Sequence, residues 1–354
     1  MATAAERTVP AGAEGPGQRP PALGGAAGLA GRVLRGFLTL REGSVIVVTA
    51  ITIIYFIATT SNFATADNFK NLLPYFAPFA ILGAGEVFVM INGEIDLSIG
   101  AVYLLSPFIF EKLAGAGLPL VPALVITLVV CMLIGTINGF FVAVVGIASF
   151  VVTLGMLFAL EGTTLVISHA APAAMPGTST LSIGTFAQVF GGGTYSELIW
   201  ALAIVALLQV ILTFTRWGIY TVSVGGNRLG AAEAGINVHW NLMRNFILCA
   251  TLAGLVGILE AVRTTTATPD PSGANEVLFE GISAAVIGGT LLAGGSGTVV
   301  GALIGALFLG VLNDGLIIKG VNADYLFLYV GIAILIAMTL NTFVQRVRKG
   351  AGRA

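Results

Sequence analysis

Apolar residues in this chain run in blocks of about twenty, separated by short polar breaks. Residues 44–60, 198–214 and 298–318 are examples. A helix of that length matches the hydrocarbon thickness of a bilayer. Inside lipid every backbone N–H and C=O must be paired within its own segment, so helix is the expected form. The pattern predicts ten spans: 44–60, 74–91, 97–112, 118–145, 148–168, 196–214, 244–263, 277–293, 298–318 and 324–344. The third is short and glycine-interrupted, and the fourth is long enough to tilt. The expected fold class is an all-α, polytopic membrane protein. Residues 1–42 are expected to be a disordered cytoplasmic tail, 43–345 the transmembrane domain and 346–354 a basic cytoplasmic tail.

Ten spans put both termini on one side, and charge chooses the side. One face receives Arg7, Arg19, Arg32, Arg35, Arg41, Arg216, Arg228, Arg244, Arg346, Arg348, Lys349 and Arg353, and the other only Lys70, Lys112, Arg263 and Lys319. The bias toward positive inner loops places both termini in the cytoplasm. Tyr195 with Trp200, and Trp217 with Tyr220, bracket the sixth span as interfacial aromatics do. Residues 169–195 then form an outer connection and 215–243 an inner one.

Composition narrows the class. Only 9% of the 354 residues are charged and 56% are hydrophobic, whereas soluble domains carry about 25% charged residues. An ordinary soluble enzyme is excluded. Forty-seven glycines suit closely packed membrane helices. A net charge of −1 gives no bulk attraction to nucleic acid. Cys131 and Cys249 lie in apolar runs and read as buried thiols, not a disulfide. Residues 1–30, rich in Ala, Gly and Pro, lack the apolar core of a signal peptide.

Candidate chemistry gathers at four places. In Gly93–Gly100, Glu94, Asp96 and Ser98 sit in a break between apolar runs. Asp96 and Ser98 are read both as a helix N-cap and as part of a polar path, two compatible roles. Around Gly225–Asn237, two glycines permit a tight turn, Ala231-Ala232-Glu233-Ala234 favours a short helix and Gly235 can cap it. Such a helix suits docking to a soluble partner. The run Gly288–Thr298 is glycine-rich, but no Gly-Lys-Ser/Thr follows, so it is no phosphate loop. It opens into Gly301 and Gly305, a close-packing helix face. Finally, Glu86, Glu161, Glu260 and Asp314 are intramembrane acids, open to a proton-relay reading, while Asn138, Asn313 and Asp314 could hydrogen-bond a polar solute. His169 and His239 are far apart without a cysteine cluster, so no metal site is expected. A short likeness between Leu133–Gly139 and Leu309–Gly315 hints at an inverted repeat.

These segments, in order, resemble bacterial ABC sugar permeases of the ribose/xylose/arabinose/galactose type. Gly93–Gly100 resembles that family's G-G-I-D-L-S-x-G motif, and Gly225–Val238 its G-G-N-x-x-A-A-x-x-x-G-I-N-V coupling segment. Ala284–Gly315 and Ser149–Gly155 are similar to two further segments, so the likeness spans residues 75–345. Glu94, where the family has glycine, and Glu161, where many relatives carry Arg, depart from it. The resemblance implies an inner-membrane, multi-pass permease subunit that is not an enzyme and has no catalytic residue. It implies a second permease copy, an ATPase subunit that uses ATP and Mg, and an extracytoplasmic solute-binding protein, with no cofactor on this chain. Gly225, Gly226, Asn227, Ala231, Ala232, Glu233, Gly235 and Ile236 would form the ATPase-coupling loop. Glu94, Asp96, Ser98, Asn138, Asn313 and Asp314 would serve the helix break or the solute path. Two other classes stand beside it: a carrier driven by an ion gradient, and a branched-chain amino-acid ABC permease.

Overall fold

The computed structural model describes residues 42–178 and 184–351. Twelve helices of six residues or more organise them, besides a three-residue helix at Thr185–Ala187. They are α1 (Gly43–Thr59), α2 (Ala66–Ile91), α3 (Ile99–Gly115), α4 (Leu120–Phe140), α5 (Ser149–Ser168), α6 (Ser196–Phe214), α7 (Arg216–Gly226), α8 (Arg228–Glu233), α9 (Val238–Arg263), α10 (Pro271–Ile287), α11 (Val299–Ile318) and α12 (Ala323–Ala351). A π-helical turn, Phe141–Val145, prolongs α4, and a second lies at Gln188–Gly192 before α6. Ala173–Ala174 and Thr266–Ala267 form a two-residue antiparallel pair. The fold is thus all-α and polytopic. Among the described residues, α2, α4 with its π turn, α5, α6, α9 and α11 are long and apolar enough to cross a membrane. Gly43–Thr59 and Tyr325–Thr339 are shorter apolar stretches.

The helices divide into an inner and an outer set. The most apolar windows of α2 and α9 are 89% and 78% buried, while those of α4, α5 and α6 are 33% or less. Side chains such as Phe158, Phe150 and Phe214 on the outer set face outward. With lipid outside, helix association depends on close packing, not on apolar burial. The glycines serve this. A Cβ on Gly301 or Gly305 of α11 would overlap the Gly288 or Ala284 carbonyl at the end of α10. One on Gly139 of α4 would stand 2.8 Å from the Met243 Cα of α9. Cys131 and Cys249 are buried free thiols.

Several helix starts differ from the hydropathy pattern, and in each case a polar cap explains it. α2 begins at Ala66, not near 74, because the Thr65 hydroxyl accepts from the Asn68 amide at 3.2 Å. Pro74 and Pro78 lie within it. α9 begins at Val238, where Asn237 Oδ1 accepts from Trp240 N at 2.9 Å. α10 is displaced from 277–293 to Pro271–Ile287. Asp270 Oδ1 accepts from Ser272 N at 3.0 Å, Pro271 fills the first position, and Gly289 at φ +97° turns the chain at the far end. The inner connection 215–243 is mostly helix. Except for Glu42, the expected tail 1–42 lies outside the described residues.

Candidate functional site

The glycine pair read as a tight turn is the last turn of α7. The chain breaks at Asn227, in extended conformation (φ −157°, ψ 102°), and Asn227 Oδ1 caps α8 by accepting from Gly230 N at 3.0 Å. Gly235, at φ +81°, then ends the short helix, with the Ile236 amide donating to Ala231 O at 3.0 Å. Only Ala231 of α8 is buried, and Leu229 is 71% exposed. The elbow formed by α7 and α8 therefore projects, while its root is clamped.

The clamp is largely backbone on backbone. A Cβ on Gly225 would overlap the Ile91 carbonyl oxygen at the end of α2 and stand 2.8 Å from the Gly295 amide. That amide donates to the same Ile91 carbonyl at 2.7 Å. A Cβ on Gly226 would meet nothing within 4 Å, and its φ is not in the left-handed region, so the constraint falls on Gly225 and not on its neighbour. Arg228 donates to the Asn92 carbonyl at 2.8 Å and pairs with Glu94. The carboxylate that departs from the family pattern thus ties the break after α2 to the first residue of α8.

Beneath the elbow lies a polar knot that sequence reasoning did not single out. Asn245 Nδ2 donates to Asn92 Oδ1 at 2.6 Å, and Trp217 Nε1 donates to Asn245 Oδ1 at 2.7 Å. Asn92 Nδ2 donates to the Thr221 carbonyl at 2.9 Å. Asn92, Thr221, Asn241 and Asn245 are all buried. Buried amides of this kind must be satisfied, and here α2, α7 and α9 satisfy one another. The sequence signal was present as polar residues inside or beside apolar runs, but their pairing spans 153 positions.

The remaining expected site residues separate into three groups. Asp96, Ser98 and Asn138 come together, each 0% exposed. Asp96 Oδ1 accepts from the Ser98 amide at 2.9 Å and hydroxyl at 2.6 Å, and Asn138 Nδ2 donates to Ser98 Oγ at 2.8 Å. Asp96 thus stabilises the turn into α3, and Ser98 at the N-cap position makes no side-chain cap of its own. Asp96 Oδ2 and Asn138 Oδ1 have no hydrogen-bond partner among the described residues. Asn313 donates to Glu280 at 3.0 Å, and Asp314 accepts from Asn68 at 2.8 Å at the opposite end of α2. Among the four acids, Glu86 is buried against Cys249 (3.5 Å), Glu161 accepts from Asn275 at 2.9 Å, and Glu260 pairs with Arg263. They do not form one chain of contacts. His169 ends α5, His239 is exposed in the first turn of α9, and the described residues contain no cluster suited to a metal.

At the end of the bundle away from the elbow the packing opens. A cavity of about 600 Å³ is lined by α3, α9 and α10 with Tyr103, Glu260, Thr268 and Asp270 among its walls. It meets a second, of about 170 Å³, where Tyr75, Glu276 and Glu280 join Tyr103 and Glu260. Arg263 braces the rim, pairing with Glu260 and lying 3.4 Å from the buried Glu197.

Comparison with known proteins agrees with this architecture. The family model described as branched-chain amino acid transport system / permease component matches residues 68–339. The chain is 34% identical to the xylose/arabinose import permease protein XylH of Sulfolobus acidocaldarius over 317 residues, 86% of each chain. It is 33% identical to the ribose import permease protein RbsC of Escherichia coli over 285 residues, 80% of this chain and 88% of that one. The D-allose transport system permease protein AlsC of Escherichia coli is 32% identical over 285 residues, with 80% and 86% covered.

Proposed function

The chain belongs to the family of branched-chain amino acid transport system permease components, and from that membership we propose that it carries a monosaccharide or similar small polar solute across the membrane. It is a multi-pass permease subunit of an ATP-driven importer. The family description names branched-chain amino acids, but the relatives above are named for xylose, arabinose, ribose and allose import. Their coverage of most of the chain favours a sugar.

In this reading α1, α3, α10 and α12 join the six longer helices to make ten spans, with both termini in the cytoplasm. The elbow faces the cytoplasm, as the basic residues Arg216, Arg228 and Arg244 around it suggest. An ATPase subunit docks on α8, hydrolysing ATP with Mg, and this chain binds no cofactor. An extracytoplasmic binding protein delivers solute at the cavity end, and a second copy completes the pathway in a bacterial inner membrane. Gly225, Asn227, Ala231, Ala232, Glu233, Gly235 and Ile236 serve coupling, and Gly226 only continues the end of α7 beside them. Glu94, Asp96, Ser98 and Asn138 hold the break that the coupling moves, while Asn313 and Asp314 brace the spans beside the path.

One observation carries the reading: a six-residue helix projects from the bundle while its root is fastened to the end of α2 by Gly225, Arg228 and Asn92. A load applied to α8 therefore reaches the central helix directly. The test is uptake of labelled ribose and xylose by energised vesicles containing the transporter, with an ionophore added. Uptake that continues on internal ATP supports the importer. Uptake that stops with the ion gradient replaces it with a carrier.

A further inference from the structure

At the open end of the bundle, most polar groups around the two cavities already have partners. Glu260 is paired with Arg263, Glu280 accepts from Asn313 at 3.0 Å, and Asp270 caps α10. Beside the Thr266 and Thr268 hydroxyls on the wall of the wider cavity, three groups do not. The hydroxyls of Tyr75 and Tyr103 and the carboxylate of Glu276 make no hydrogen bond to any described residue. They come from α2, α3 and α10, and all three line the narrower cavity of about 170 Å³. Tyr103, Glu260 and Val277 line both this cavity and the wider one of about 600 Å³, so the three groups stand at a narrow recess beside a space within the roughly 300–1,000 Å³ usual for small-ligand pockets.

We propose that Tyr75, Tyr103 and Glu276 form a weak binding site in the permease itself for a neutral polyhydroxyl ligand of pentose or hexose size. Its chemistry fits that class. A carboxylate with free lone pairs accepts from adjacent hydroxyls. A tyrosine hydroxyl both donates and accepts, while its ring offers an apolar face to the C–H side of a sugar ring. Weak binding is what a passage requires, since a solute held tightly would not leave. Glu276, free of any cation, has its full acceptor capacity available. The site rests on the importer reading, because only then does solute enter from this end.

The experiment uses the full chain in lipid nanodiscs, with ribose, xylose and allose as probes in saturation-transfer-difference NMR. Wild-type permease is expected to transfer signal to at least one of the three. Glu276→Gln and Tyr103→Ala are expected to weaken binding about tenfold. Tyr103→Phe keeps the ring and should give an intermediate loss, which covers the case where the alanine variant fails to fold. Phe158→Ala, on the outward face of α5, should leave the signal unchanged. No transfer from any sugar, equal transfer in the Glu276→Gln and Tyr103→Phe variants, or displacement by spermidine in preference to sugar would overturn the site. The vesicle assay separates the two claims. ATP-driven uptake without NMR contact sinks this site alone, whereas gradient-driven uptake sinks the importer.

Discussion

Around Ile91, at one end of α2, backbone meets backbone, and no side chain would fit between Gly225 and the Ile91 carbonyl. Around Tyr75, about 24 Å along the same helix, side chains stand apart and leave cavities of about 600 and 170 Å³. Buried neutral amides form the heart of the first region, with Asn245 joined to both Asn92 and Trp217, and the Arg228–Glu94 pair lies at its exposed edge. Ion pairs brace the second, with Arg263 between Glu197 and Glu260. The difference teaches how one helix serves two tasks. Close-packed interiors transmit displacement because they deform little, so the tight end suits a mechanical input. The open end keeps room and unspent hydrogen-bonding capacity, which suits a passing solute.

The contrast is broken most severely at the ion pairs. Glu197 is only 3% exposed. Arg263→Met leaves that carboxylate buried without its countercharge, at a cost of about 3–5 kcal/mol. The expected result is a marked fall in melting temperature of the purified permease. The double variant with Glu197→Met should recover most of it. A single variant that melts like wild type would remove the bracing role.

At the tight end, Gly225→Val forces a side chain into the Ile91 carbonyl, and overpacking of this kind costs about 1–3 kcal/mol or more. Sugar uptake by cells carrying the variant should be lost while the protein remains in the membrane. Gly226→Val, one residue on and in open space, should retain uptake. Equal outcomes for the two would erase the distinction between the neighbours. Asn245→Ala orphans the Trp217 indole and one face of Asn92, at about 1–3 kcal/mol for each buried group left unsatisfied, read as a lowered melting temperature. The smallest effect belongs to Arg228→Ala. Its pair with Glu94 is half exposed on the arginine side, so about 1 kcal/mol or less is at stake. Uptake should fall modestly, and by less as salt is raised.

How much of this was legible beforehand follows the range of the interactions. The apolar blocks marked the bundle, because bilayer thickness acts on consecutive residues. Gly235 could be assigned as a helix end from its own conformational freedom, and its φ of +81° agrees. Asp96 and Ser98 are two residues apart, so their turn was accessible to local chemistry. Helix starts at Thr65 and Asp270 were hidden, since one capping side chain outweighs several polar residues that lower hydropathy. Gly225 and Gly226 look alike in the chain. What distinguishes them is the Ile91 carbonyl, which only tertiary packing brings near. The Asn92–Asn245 pair and the cavity-lining Tyr75, Tyr103 and Glu276 were invisible for the same reason.

The most direct measurement of the central claim is the number of sugar molecules moved per ATP hydrolysed by the complete reconstituted transporter, wild type against Asn245→Ala. This substitution leaves the exposed surface of α8 intact but loosens the knot beneath it. The account predicts that hydrolysis persists while transport per ATP falls. An unchanged ratio, with both rates intact, would contradict the idea that the elbow drives the bundle through the end of α2.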